Sequence, residues 1–486
     1  LHDVALPQFL HLLRIIGFDV VRFDESHNIK NMDSKRSRYS YSLLAQSKNK
    51  ALLSGTIINN TAVDLIGQSY GINPMIFGSI DDVEKFMDDY NLPSGLIKSD
   101  EASRKLNARL KKFTQMSSAT KEDWSFVLPD LYDKVIAPNL TPKQEKFYQM
   151  LMEEAELALK SDLESTRNKA NSEDDNEEED SDDINVESYD DEDENEAAFM
   201  MKADRSLAKA EQFLVAPDTN EQYLVWSENP TGDDLISPMV RGVDNELAKI
   251  YQDRSADHSI NKTAVFGIHK VASLHFMRHT KFKDLCLHYR AGDAEVLRVF
   301  KADPDKYILV ADSTSLREGE NMQMLSYIFD MQPTWTPGDY EQLISRMYRP
   351  DPKGQYNKDL VTHYWVTPVH KMNEPTLSTV KLARMISKAI SMARFKYESD
   401  PRWYEVSGEF QDLDLLTMNL ETVFRSTHNS LAPYFNAWSK FTAWERKNNQ
   451  QTRIKLARQL EEENPGVRLV DANGNVIDRN LFTKMV

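Results

Sequence analysis

Two adjacent carboxylates and a histidine, in Asp24-Glu25-Ser26-His27, follow a largely apolar stretch at 18–23. An apolar run rich in β-branched residues is typical of a buried strand. Ligands of open α/β sheets collect at the carboxyl ends of the strands, and an acid there can hold Mg²⁺ in folds that hydrolyse nucleotides. The acidic pair therefore indicates a candidate site for phosphate chemistry, with an ordinary solvated turn as the alternative.

A second predicted strand, at 51–53, ends in Ser54-Gly55-Thr56. Small hydroxyl residues beside a glycine allow the backbone to approach a neighbouring carboxylate or ligand closely. We therefore expect these three residues to lie near the acidic pair, although the same triplet also occurs in simple turns.

A predicted helix that begins at Thr336-Pro337 carries Gln342, Arg346 and Arg349. Offsets of four and seven residues, at about 100° per residue, place both guanidinium groups on the face of Gln342. Fixed positive charge stabilises a transferring phosphoryl group, and an arginine finger contributes ~10³–10⁵ in rate. The alternative is an exposed helix whose arginines form surface salt bridges.

The elements that must position these residues form an alternating pattern. Short apolar stretches are separated by helical periodicity, which predicts an α/β protein with parallel sheets. The helix after Thr141-Pro142 is predicted by a capping box that Gln144 completes. A further long helix is predicted at 437–463, and a hairpin around Asn473-Gly474. The strands predicted in this second region lie at 134–139, 263–268, 287–290, 307–311, 326–329 and 360–366.

Composition restricts the class of protein. The chain of 486 residues contains one cysteine, which excludes an internal disulfide and a cysteine-based zinc site and favours an intracellular setting. No run of about 18 apolar residues and no secretion signal is present, so no membrane partner is expected. The net charge of −18 is local, because 16 acidic and no basic residues lie between Glu173 and Glu196, leaving −18 − (−16) = −2 elsewhere. Such a block predicts a disordered insertion at about 165–197, which would be a spacer, a self-inhibitory DNA mimic or a partner-binding tail.

The order of these motifs resembles the Swi/Snf-type ATPases of helicase superfamily 2. Asp24–His27 is similar to the family's Walker B box, and the segment 54–60 to its Thr-Gly-Thr-Pro-x-x-Asn motif. The family's lobe junction is matched by Phe126–Pro129 together with Leu140–Gln144 and Tyr148, and its fourth motif by Val265-Phe266. Its fifth motif is matched by Ser313-Thr314 with Gly319 and Asn321. Its sixth motif is matched by Trp335–Pro337 with Gln342, Arg346 and Arg349.

The resemblance implies two RecA-like parallel-sheet lobes that bind ATP and Mg²⁺ between them and move along double-stranded DNA. Asp24 would hold the metal, Glu25 would activate water, and Arg346 and Arg349 would reach the γ-phosphate. The remaining implied roles are nucleotide binding by Gly319, Asn321 and Gln342, and coupling of hydrolysis to DNA by His27, Ser54, Gly55 and Thr56. The implied domains are a first lobe at 1–135 with a helical protrusion, a second lobe at 136–395, and a helical C-terminal extension at 396–486.

One departure from the family concerns the phosphate-binding loop. That loop requires Gly-Lys-Ser/Thr, and none of the 16 glycines precedes a lysine. Only 23 residues precede Asp24, so we expect the first lobe to be incomplete and to need a separate polypeptide carrying the loop. The compact arrangement also favours a viral or bacterial origin.

DNA contacts are expected from cations, because translocases hold phosphates without reading sequence. The candidates are Lys30, Lys35, Arg36, Lys270 and Arg290. Three alternatives remain open: a non-catalytic nucleic-acid-binding or regulatory remnant, an RNA-directed helicase of the same superfamily, and a protein-interaction module that uses the acidic insertion.

Overall fold

The computed structural model describes most of the chain. The described ranges are 18–32, 34–55, 57–76, 83–90, 92, 95–112, 129–173, 205–228, 230, 232–252, 261–317, 322–334, 336–348, 360–370, 374–398, 400–410 and 431–463.

The first part of the chain contains a two-stranded parallel sheet, β1 (Val20–Phe23) and β2 (Asn49–Leu52). The strand predicted before Asp24 is present, but the prediction that it is buried is wrong, because Val20 and Arg22 are exposed and Val21 and Phe23 are half-buried. The second strand begins two residues earlier than predicted. Helices α1 to α4 follow the chain at Lys35–Gln46, Asp64–Ile72, Val83–Asp89 and Asp100–Leu110. They enclose a separate apolar core that includes Ile58, Leu65, Phe86 and Leu106.

The second sheet has six parallel strands in the order β3-β8-β7-β4-β6-β5. Their bounds are Asp130–Ile136 (β3), Lys262–Gly267 (β4), Cys286–His288 (β5), Ile308–Asp312 (β6), Leu325–Asp330 (β7) and Leu360–Val366 (β8). The α/β class with parallel sheets is therefore confirmed. Strand β3 crosses the predicted domain boundary at 135/136 and pairs along its whole length with β8, so it lies in the second sheet.

Helices cover the second sheet. They are α5 (Pro142–Glu173), α6 (205–215), α7 (Glu221–Trp226), α8 (Pro238–Ile250), α9 (Lys270–His279), α10 (Ala294–Ala302), α11 (Ser313–Arg317), α12 (Pro337–Met347) and α13 (Leu377–Lys396). The capping box at the start of α5 is present, since Thr141 N donates to Gln144 Oε1 at 3.1 Å and Gln144 N donates to Thr141 Oγ1 at 3.3 Å. Because α5 continues to Glu173, the prediction of disorder is wrong for 165–173; residues 174–197 lie outside the described ranges.

The long C-terminal helix is also present, as α14 (Ala432–Glu463). It packs on α13, and Trp438 and Trp444 are buried in the main core. The predicted hairpin around Asn473-Gly474 lies outside the described residues. Within the described ranges, the structure contains no helix that is both long and apolar enough to cross a membrane.

Helix α13 joins the two sheets into one packed structure. Its Phe395 belongs to the core of the first part, and its Ser391 Oγ accepts a hydrogen bond from Ile97 N at 2.6 Å. Helix α4 contacts the end of the same helix, where Ser103 Oγ donates to Arg394 O at 2.8 Å. The ends of the strands in the two sheets can therefore build one shared site.

Candidate active site

The acidic pair lies in solvent directly after β1. Asp24 and Glu25 are both exposed, and Glu25 N donates to Asp24 Oδ1 at 3.0 Å. Glu25 has φ 52° and ψ 50°, the left-handed conformation that costs a residue with a Cβ about 1–2 kcal/mol. The strand therefore ends in a strained turn that carries two solvent-accessible carboxylates.

His27 contacts Glu25 within this turn and connects the turn to two side chains outside it. Its Nδ1 lies 3.1 Å from Ser54 Oγ and 3.2 Å from Glu25 Oε2, and its Nε2 lies 3.2 Å from Gln342 Nε2. An amide nitrogen can only donate, so His27 Nε2 is the acceptor and Nδ1 carries the proton. The structure thus brings together the predicted residues His27 and Ser54, which follow β1 and β2, and Gln342 of α12.

Gln68 of α2 stabilises this turn through hydrogen bonds. The sequence motifs did not indicate that Gln68 has a role in the site. Its Oε1 accepts from Ser26 Oγ at 2.9 Å, and its Nε2 donates to Ile57 O at 2.5 Å. Ser26 N also donates to Leu53 O at 2.9 Å. The segments after β1 and β2 are therefore fixed against each other through buried polar contacts.

Helix α12 begins as predicted, with Asp339 N donating to Thr336 Oγ1 at 3.2 Å and Pro337 in the first turn. Gln342 and Arg346 are half-buried and lie four residues apart on this helix, so they share one face. Because Gln342 contacts His27, this face points towards the acidic pair.

Four of the predicted site residues, Thr56, Gly319, Asn321 and Arg349, lie outside the described residues. Gly55 is exposed, and a Cβ added there would meet nothing within 4 Å. The geometry around Gly55 therefore does not itself require a glycine.

The candidate DNA-binding cations fall into two groups. Lys35 and Arg36 are exposed at the start of α1, whereas Lys30 Nζ lies 3.6 Å from Asp64 Oδ2 and is half-buried. Lys270 and Arg290 are exposed beside the second sheet. Burial lowers the pKa of His288, and the charges of Arg290 and Lys270 lower it further.

One group with metal-ligating side chains occurs in the described ranges, at Asp218, His275 and His279. Its polar atoms already have partners. Ser237 N donates to His275 Nε2 at 3.0 Å, which leaves the proton on Nδ1 to be donated to Asp218 Oδ1 at 2.8 Å. Arg278 and His279 donate to Asp218 Oδ2 at 2.6 and 2.9 Å. These contacts favour a hydrogen-bonded link between a loop and α9 over a metal site.

Comparison with known proteins identifies a family for part of the chain. Residues 8–181 match the family model of the SNF2-related domain, and no match was found among curated protein sequences.

Two structures of the Sulfolobus solfataricus SWI2/SNF2 ATPase core are similar at low identity. The core in complex with dsDNA has 18% identity and a TM-score of 0.36 over 85% of this chain and 73% of that one. The core domain alone has 17% identity and a TM-score of 0.29 over 80% and 68%. The C-terminal part of the Fun30 ATPase domain has 11% identity and a TM-score of 0.33 over 56% and 98%. The match over 8–181 confirms, for this part of the chain, the resemblance to the SNF2-related domain of Swi/Snf-type ATPases.

Proposed function

We propose that the chain is the core of an ATP-dependent duplex-DNA translocase, a helicase-like hydrolase. One observation carries the proposal: the His27–Gln342 contact joins α12, the helix that carries Arg346, to the turn that carries the carboxylates after β1. In this translocase core, the first lobe would end before β3 and the second lobe would extend from β3 to α13. Helix α14 would belong to the C-terminal extension.

The donor set fits a magnesium ion that arrives with a nucleotide. Mg²⁺ is commonly bound by one or two carboxylates together with substrate phosphates and water, and Asp24 and Glu25 are exposed carboxylates at a strand end. Asp24 would hold the ion, which when bound neutralises charge on the phosphates. Glu25 would accept a proton from the attacking water, and His27, which contacts Glu25, would orient that carboxylate.

Arg346 would supply the positive charge from the opposite side of the cleft. A guanidinium on the second lobe stabilises the phosphoryl group only when the lobes approach, so hydrolysis depends on closure. Ser54 contacts His27, whose other ring nitrogen contacts Gln342 of the second lobe, and would couple hydrolysis to DNA through that ring.

The β/γ-phosphates need further contacts. No glycine in this sequence precedes a lysine, so these residues do not supply a Gly-Lys-Ser/Thr loop. We therefore propose that another segment or a separate polypeptide provides the phosphate-binding loop.

Lys270 and Arg290 are candidates for holding DNA phosphates, because both are exposed beside the second sheet, at the start of α9 and shortly after β5. Each phosphate contact contributes about 0.9 to the slope of log affinity against log salt. Filter binding of labelled duplex DNA between about 50 and 200 mM salt should therefore show a slope that falls by about 2 in the double variant Lys270→Ala/Arg290→Ala. The exposed Lys283→Ala serves as the matched control.

The enzymatic part is tested by phosphate release from ATP, with the loop-bearing polypeptide added and with duplex DNA present or absent. We expect DNA to stimulate turnover and Glu25→Gln to abolish it without loss of DNA binding. Stimulation by duplex RNA alone would favour the RNA-directed alternative. DNA binding with no turnover under any condition would favour the non-catalytic remnant, and salt-insensitive or absent DNA binding would favour the protein-interaction module.

A further inference from the structure

Two helices of the second lobe hold one short segment of the first lobe, the pair Asn59-Asn60. This segment follows Ser54 by a few residues and precedes α2. Its amides are tied to the first lobe, since Asn59 N and Asn60 N donate to Asp64 Oδ2 at 2.9 and 2.6 Å. The segment is thus a rigid part of the first lobe that the second lobe contacts directly.

The first contact comes from the start of α12. Gly338 N donates to Asn59 O at 3.1 Å, and Asn59 is buried. A Cβ at Gly338 would lie 1.7 Å from Asn59 Oδ1 and 2.8 Å from Asn59 Cα. Only glycine therefore allows the two backbones to approach this closely.

The second contact comes from α13. Lys388 Nζ donates to Asn60 Oδ1 at 2.5 Å, and the side chain of Lys388 is 1% exposed. Burial lowers the pKa of Lys388 to about 8, with a further decrease from Arg384 on the same helix. On the first lobe, Asp64 raises this pKa and Lys30 lowers it. A buried ammonium is unfavourable unless it is hydrogen-bonded, so removal of the Asn60 acceptor should weaken the contact between the lobes.

We propose that Gly338 and Lys388 are positioning residues that hold Asn59-Asn60 against the second lobe and thereby set the distance between the Asp24-Glu25 carboxylates and Arg346. The catalytic part of this statement rests on the proposed function. The contact itself does not, because it is defined by atoms of the protein alone.

The same helix that carries Gly338 also carries Gln342 and Arg346, one and two turns further on. A displacement at its first turn therefore moves the contact with His27 and the guanidinium together. Misplacement by about 1 Å in an active site can reduce turnover ~10²-fold, which is the loss we expect for Gly338→Ala.

The distance between the lobes is tested by single-molecule energy transfer in the full chain without nucleotide or DNA. Labels are attached to Lys48→Cys and Arg298→Cys, which are 82% and 70% exposed in their side chains, in a Cys286→Ser background. We expect Gly338→Ala and Asn60→Ala to shift the population to lower transfer efficiency. Alanine forms helices better than glycine, so the shift would not come from weakening α12.

Gly408→Ala is the matched control, because a Cβ there would meet nothing within 4 Å. Its transfer efficiency should equal that of the unsubstituted chain. Asn59→Gly should partly rescue Gly338→Ala, because it removes the side-chain atoms at 1.7 and 2.7 Å. Unchanged transfer efficiency in both Gly338→Ala and Asn60→Ala, with folded circular dichroism spectra, would overturn the proposal. Because this readout uses no ATP, failure of the proposed function would leave it interpretable.

Discussion

The ring of His27 bridges the two sheets, with Nε2 at 3.2 Å from Gln342 Nε2 and Nδ1 at 3.2 Å from Glu25 Oε2. Its tautomer follows from the amide partner, which can only donate. One imidazole therefore accepts from the second lobe and donates towards Glu25 and Ser54 on the first. A movement between the lobes is transmitted directly to the carboxylate that we propose as the base.

We expect His27 and Gln342 to be energetically coupled. Replacing each by alanine, singly and together, should give a coupling free energy of about 1 kcal/mol in guanidinium unfolding, since residues in one hydrogen-bond network are not additive. A double-mutant cycle of Gln342→Ala with Lys143→Ala provides the control, because the described residues show no contact between these two side chains. Additivity within about 0.3 kcal/mol for His27 and Gln342 would contradict the bridge.

Glu25 combines chemistry with backbone strain, and two substitutions separate them. Glu25→Gly relieves the left-handed conformation at φ 52° and should raise the free energy of unfolding by about 1 kcal/mol. Glu25→Gln keeps the strain and should leave stability within about 0.5 kcal/mol. Both should lack ATP turnover in the reconstituted assay. Equal stability of the two variants in urea unfolding would show that the turn stores no strain.

Local patterns predicted the elements of this site well. The strand before Asp24, the capping box at Thr141 and the Thr336 cap of α12 depend on neighbours within a few residues, and the structure contains them. Alternation of strands and helices also predicted the parallel second sheet.

The contacts between distant segments could not be predicted in this way. Lys388 and Asn60 are 328 residues apart, and no local period relates them. Gln68 resembled any other polar residue on a helix, because its role depends on where the turn after β1 folds. Strand β3 pairs with β8, which lies 360 − 130 = 230 residues further along the chain, and this is why the predicted boundary at 135/136 cut through it.

Arg346 should be needed for turnover and not for folding. Loss of an arginine finger costs ~10³–10⁵ in rate, so Arg346→Ala should reduce ATP hydrolysis by at least about 10³-fold, with a smaller change in ATP affinity. Arg298→Ala, an exposed arginine paired with Glu295, is the control and should retain full turnover. Turnover in Arg346→Ala within tenfold of the unsubstituted chain would exclude this role.

The link at Asp218 should make the chain less stable in acid. Burial lowers the pKa of His275 to about 4, so between about pH 6.5 and 4 the unfolded state binds more protons and stability falls on acidification. Burial raises the pKa of Asp218, but hydrogen bonds from His279, His275 and Arg278 lower it overall, so its contribution is lost in the same direction.

For His275 alone, the free energy of unfolding should decrease by up to about 3 kcal/mol over this range. Thermal unfolding across pH 7 to 4 measures it, and His275→Gln should flatten the dependence. His269→Gln, at an exposed histidine before α9, is the control and should keep the original slope. Identical slopes for His275→Gln and the unsubstituted chain would refute the assignment.

Lys262, in β4, should be a structural lysine. Its buried ammonium donates to the main-chain carbonyl of Phe300, to Asp303 O at 2.9 Å and to Lys306 O at 3.1 Å, so it satisfies carbonyls at the end of α10. Lys262→Met keeps the length of the side chain but leaves these acceptors without the donor, and should destabilise the second lobe by about 3 kcal/mol. The exposed Lys283→Met should change stability by less than about 0.5 kcal/mol in guanidinium unfolding. Equal effects of the two substitutions would show that solvent replaces Lys262 at these carbonyls.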